Sequence, residues 1–200
     1  MRTNIKKAAL LIFVYLLIMI PFKVMEIIPG FTDIRPVTML GPIYALFTGI
    51  PGIIIFALMN IVGDIISDSV RWSSIAGLIA NFVGPYIVYH YWIKMKKTAP
   101  DLKTMKNIGV YSLVVFIAAA VQMAIITPAV AVIYPEVDSM LFALSVILNN
   151  TLFPIMFGIP LIILMKEELG YRMIDVISSE RKGKRAAGAV PVTEKMERDI

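Results

Sequence analysis

Five stretches of this chain run without a single charged residue: Lys7 to Lys23, Arg35 to Asp64, Arg71 to Lys94, Lys106 to Glu136 and Asp138 to Lys166. Each is long enough to cross, or nearly cross, a hydrocarbon layer, which takes about 20 apolar residues as helix. No 200-residue soluble core can bury that much apolar side chain. The composition agrees, with 58% hydrophobic and 16% charged residues against about half and a quarter in soluble domains. The bilayer is the expected solvent.

The second stretch is divided by the turn "TGIPG" at 48–52. Six helical spans are therefore expected, at about 5–25, 37–50, 52–69, 73–93, 107–132 and 141–166, the second being short for a full crossing. The fold class is an all-α integral membrane bundle over residues 1–166. A basic cytoplasmic tail over 167–200 is expected to carry an amphipathic helix first and disorder beyond Gly183. The start, "MRTNIKKAALLIFVYLLIMIPF", has the basic-then-apolar form of a signal peptide but no small-residue cleavage site after it. It reads as an uncleaved first span.

Orientation follows from the lysines and arginines. An even helix count puts both termini on one side, and that side carries all but three of the 19 basic residues. Lys23, Arg35 and Arg71 are the three exceptions. The positive-inside rule then places both termini in the cytoplasm. The run "YHYWIKMKK" at 89–97 fits an interfacial aromatic belt, and His90 belongs to it rather than to a catalytic site. The net charge of +5 thus marks topology, not a nucleic-acid surface.

Several chemistries are excluded or disfavoured. With no cysteine there are no disulfides, thiolate metal sites or cysteine nucleophiles, and one histidine leaves little for a metal centre. No GxSxG, HExxH or Walker motif occurs. Asp64 and Asp68 share one helix face. An acid dyad instead brings carboxylates together from separate elements, so intramembrane proteolysis is disfavoured. No enzyme activity and no cofactor is expected.

Polar side chains inside spans are costly and are usually placed for a reason. Measured from the outer ends, Asn60 lies about 13 Å deep, Asn81 about 12 Å, Gln122 about 15 Å and Asn149 about 12 Å, with Asp64 nearer the rim at about 7 Å. Amides from four helices at one level suggest a ligand pocket; the bland alternative is interhelical hydrogen bonding. Candidate substrate-binding residues are Asn60, Asp64, Asn81, Gln122, Asn149 and Asn150, with Trp72 or Phe31 as stacking faces. "NNT" at 149–151 matches a glycosylation acceptor but falls within a span. Small residues at Ala76, Ala80 and Gly84, and at Ala120 and Ala124, suggest close helix packing.

Between the first two spans lies the strap "EIIPGFTDIRPVTMLGP" at 26–42, stiffened by proline and carrying charge. The order "FTDIRP…GP…LF…G…G…N…GD" over about 26–68, with six-helix hydropathy over 1–166, resembles the substrate-binding S component of energy-coupling factor (ECF) transporters. The resemblance implies a multi-pass subunit of a prokaryotic plasma membrane, in contact with lipid. It would bind a small organic nutrient such as a vitamin. A separate T component and two ATPase subunits would power uptake, and nucleic acid is no partner. The strap would be a lid, with Phe31, Asp33 and Arg35 on it, and Arg35 is expected to reach Asp64. One feature departs from the family pattern. Helix one has Ala8 and Ala9 adjacent rather than alanines spaced by four, which leaves its docking surface undefined. Two other readings compete: a self-sufficient proton-coupled secondary transporter using Asp64, and a structural membrane protein without a ligand.

Overall fold

The computed structural model describes residues 2–29 and 31–169, so most of the expected tail lies outside the described residues. The chain is predominantly helical. Helix α1 (Arg2–Met19) ends in a 3-10 turn, Ile20–Phe22, set by Pro21. The strap follows as a short antiparallel hairpin, β1 (Glu26–Ile28) with β2 (Thr32–Asp33), pairing Glu26 with Asp33. A 3-10 turn, Pro36–Met39, leads into α2 (Leu40–Thr48). Gly49, at φ 68° and ψ −149°, then reverses the chain into α3 (Ile50–Ile66), a conformation open to glycine because it lacks Cβ.

Helix α4 (Ser73–Tyr89) runs on as a π-helical segment, His90–Lys96. Helix α5 (Met105–Ile133) is capped by the Thr104 hydroxyl, and α6 (Ser139–Phe153) by the Asp138 carboxylate, which accepts from the amides of Met140 and Leu141. Beyond α6, π-helical turns at Pro154–Gly158 and Leu164–Glu168 flank α7 (Ile159–Ile163), so one apolar rod extends from Ser139 to Glu168. Pro154 and Pro160 each remove a helical hydrogen bond, and the wider turns absorb the loss.

Three segments are long and apolar enough to cross a membrane: Ile5–Phe22, Met105–Ile133 and Ser139–Glu168. Pro36–Thr48 and Ile50–Ile66 are shorter. At the α-helical rise they reach about 20 and 26 Å, against a hydrocarbon core of about 30 Å. The short α2 is tolerated because it never meets the outside: every residue from Leu40 to Phe47 is buried. Around it α3, α4, α5 and α6 pack in chain order, with α1 against α3. Apolar side chains point outward along the long rods, among them Phe13, Leu17, Leu113, Phe116, Leu144 and Leu148. A surface this apolar suits lipid rather than water.

The packing of α4 follows the small-residue expectation in part. Ala80 and Gly84 are buried, but Ala76 is only half-buried. On α5 the expectation is corrected. Ala124 is exposed and Ala120 half-buried, and the alanines turned to the core are Ala118 and Ala119. His90 lies on the surface, 5.8 Å from the Tyr86 ring, while Lys94 sits over Tyr89 and Lys96 over Tyr91.

Candidate functional site

At the strap end of the bundle a cavity of about 180 Å³ opens between α1, the strap, α3, α4, α5 and α6. Asn60, Asp64, Asn81, Gln122, Asn149 and Asn150 all line it, as do Phe31, Asp33 and Arg35. The residues placed at one depth by helical rise thus share one chamber. Trp72 does not join them. It precedes α4 and is 75% exposed, so it offers no stacking face to this cavity.

The strap forms one wall and is pinned there by Asn149. The Arg35 backbone amide donates to Asn149 Oδ1 (2.9 Å), and Asn149 Nδ2 donates to the Asp33 carbonyl (2.9 Å). Thr38 adds a bond from its hydroxyl to the Asn149 carbonyl (2.7 Å). The Asn149 amide therefore mimics a neighbouring strand, satisfying backbone groups that the two-stranded hairpin leaves open. Its donor and acceptor are both committed to the strap.

Charge gathers beside this anchor. The Arg35 guanidinium donates from Nε to Asp33 and from Nη1 to Asn60 Oδ1 (3.2 Å). Burial works against its charge, but the carboxylates of Asp33 and Asp64 outweigh that cost, so its pKa lies above the usual arginine value. Asp64 is not the direct partner expected for Arg35. Lys23 takes that place, standing 3.5 Å from Asp33 and 3.7 Å from Asp64, while the Ser74 hydroxyl donates to the second Asp64 oxygen (2.8 Å). Arg35 follows the strap and meets the strap's own carboxylate two residues away. Lys23 follows the 3-10 turn that ends α1 and can bridge strap and α3.

At the rim, Arg71 lies over the Phe31 ring (4.4 Å to its centre), and Phe31 meets Tyr134 edge to face (5.1 Å between centres). Such a cation over an aromatic face is attracted by the ring quadrupole. Asp68, with φ 50°, sits exposed in the turn after α3.

The remaining amides hold to their own helices or stand open. Asn81 Nδ2 donates to the Gly77 carbonyl and Asn150 Nδ2 to the Val146 carbonyl, both at 2.9 Å. Gln122, 5% exposed, lies over Gly84, where an added Cβ would come within 2.3 Å of Gln122 Cδ. Gly84 is thus the close approach that seats the Gln122 side chain in the cavity wall.

Lys23, Arg71, Ser74 and Tyr15 line the site but were not among the candidates. A signal for two of them was in the sequence. Lys23, Arg35 and Arg71 are the three basic residues left on the sparse side, and all three converge on this cavity. The chain finds no match among protein-family models, curated proteins or solved structures.

Proposed function

We propose that this chain is a membrane-embedded binding subunit for uptake of a small organic nutrient, as the resemblance to ECF S components implies. Six helices would span the membrane with both termini in the cytoplasm and the cavity open outward. The three shorter helices, α2, α3 and α4, would cross with the help of the strap, the turns and the π-helical extension. Energy would come from a T component and two ATPase subunits, and the chain itself would perform no chemistry.

One observation carries the reading. A polar cavity is built from side chains of five helices and closed on one side by a strap that a single buried asparagine holds in place. Polar groups that served only to join helices would pair with one another. Here several amides turn to a common space instead, as a binding site requires. The strap would act as a lid, its prolines limiting the entropy lost on closure.

Mass spectrometry of small molecules that co-purify with the chain in mild detergent tests this. A stoichiometric organic compound, released on unfolding, is expected. Absence of any such compound, together with no thermal stabilisation by a low-molecular-weight nutrient extract, would favour a structural role. Uptake into vesicles by the chain alone, driven by a proton gradient without ATPase subunits, would instead favour the secondary-transporter reading.

A further inference from the structure

We infer that the cavity takes an uncharged ring compound with a lactam- or urea-type edge, of nucleobase size, and that Gln122 reads that edge. This rests on the binding-subunit reading above and narrows it to one ligand class.

Carbonyls only accept and guanidinium groups only donate, so their partners fix how each asparagine amide is turned. Asn81 and Asn150 give Nδ2 to helix carbonyls, which leaves each Oδ1 as an open acceptor. Asn60 receives Arg35 at Oδ1, which leaves Nδ2 as an open donor. Gln122 makes no hydrogen bond among the described residues, so its amide offers a donor and an acceptor side by side. These open atoms line the cavity and call for a partner that enters it, water or ligand.

The charged groups make no such call. The cavity's cations, Lys23, Arg35 and Arg71, share its lining with the carboxylates of Glu26, Asp33, Asp64 and Asp68. Lys23 and Arg35 are held within ion-pair distance of Asp33, and Lys23 also of Asp64. A ligand carboxylate or phosphate would find no surplus positive charge and would have to break these pairs. What stands open is amide, and an amide pairs best with another amide-like edge. A planar donor–acceptor pair on glutamine matches an adjacent N–H and C=O, or ring nitrogen and amino group, as when glutamine reads an adenine edge. The open Oδ1 atoms of Asn81 and Asn150 would take further ring N–H groups, and Asn60 Nδ2 a second carbonyl.

Size sets the other limit. The cavity's 180 Å³ lies below the roughly 300–1,000 Å³ of clefts for drug-sized ligands. It suits a single or fused ring without a sugar phosphate.

The test is thermal unfolding of the full chain in nanodiscs with uracil, hypoxanthine, 1,3-dimethyluracil, serine and pyruvate as probes. Uracil or hypoxanthine should raise the melting temperature, and 1,3-dimethyluracil, which has lost its N–H groups, should not. Gln122→Met, close in shape, should weaken the effective lactam about tenfold or more. Asn150→Leu, on α6 rather than α5, should also weaken it, so the result does not rest on one variant. Stabilisation by serine or pyruvate alone would overturn the ligand class while leaving a binding subunit in place. Equal lactam affinity in the wild type and Gln122→Met would overturn the role of Gln122. No response to any probe overturns the ligand class; if a nutrient extract also has no effect, the binding reading falls with it.

Discussion

Asn149→Leu should release the strap without unfolding the bundle. The wild-type side chain satisfies two backbone groups, the Arg35 N–H and the Asp33 carbonyl, each at 2.9 Å. Asp33 is 6% exposed and Asn149 5%, so water is poorly placed to replace either bond. Each orphaned group costs about 1–3 kcal/mol, but the strap can lift to reach water and so recover part of that. A loss of about 2 kcal/mol in strap closure is a reasonable centre, equal to a roughly 30-fold rise in the open population. Amide hydrogen exchange in nanodiscs reads this residue by residue, because local opening reports its own free energy. Arg35 should exchange about 30-fold faster, along with Ile34, whose N–H donates to the Met25 carbonyl across the hairpin. Amides in the middle of α5, such as Val115, should keep their protection. Asn149→Asp retains an acceptor for Arg35 but loses the donor to Asp33, and should fall between wild type and Asn149→Leu. Unchanged exchange at Arg35 would refute the anchor, and equal acceleration in α5 would show that Asn149 supports the whole bundle rather than the strap.

Double-mutant cycles on unfolding should give Arg35→Met with Asp33→Asn a coupling of about 1.5–3 kcal/mol, the range for hydrogen bonds to charged groups, and a smaller value for Arg35→Met with Asp64→Asn. Equal couplings would mean that Asp64 is the real partner. Gly84→Ala should lower stability by about 1–3 kcal/mol, since its Cβ would displace Gln122, and Gln122→Ala in the same chain should restore most of the loss. Additive losses would show that the clash lies elsewhere. In intact cells a cysteine at Glu136 should react with an impermeant thiol reagent and one at Thr98 should not, both positions being exposed on opposite sides of the proposed topology. The reverse pattern would turn the cavity toward the cytoplasm.

The apolar runs, their helical state and the shared depth of the polar side chains were all legible in the chain. They depend on local quantities: hydropathy, rise per residue and the cost of placing an amide in hydrocarbon. Asn60, Asn81, Gln122 and Asn149 could be set on one level from spacing alone, and the structure does bring them into one chamber. What each amide does there was not legible. Asn149 and Asn150 are adjacent and chemically alike, yet one is fully bound to strap backbone while the other keeps an open oxygen. That difference comes from the path of a segment more than a hundred residues earlier in the chain, which no local pattern records. The same holds for Lys23, which reads as the end of a span but bridges two carboxylates, and for Trp72, which reads as a stacking face but points outward. Sequence determined which polar residues interrupt the apolar runs and how far along each helix they lie. Tertiary structure decided which of them met one another, because hydrogen bonds and ion pairs act over a few ångströms and only the folded path brings distant residues that close.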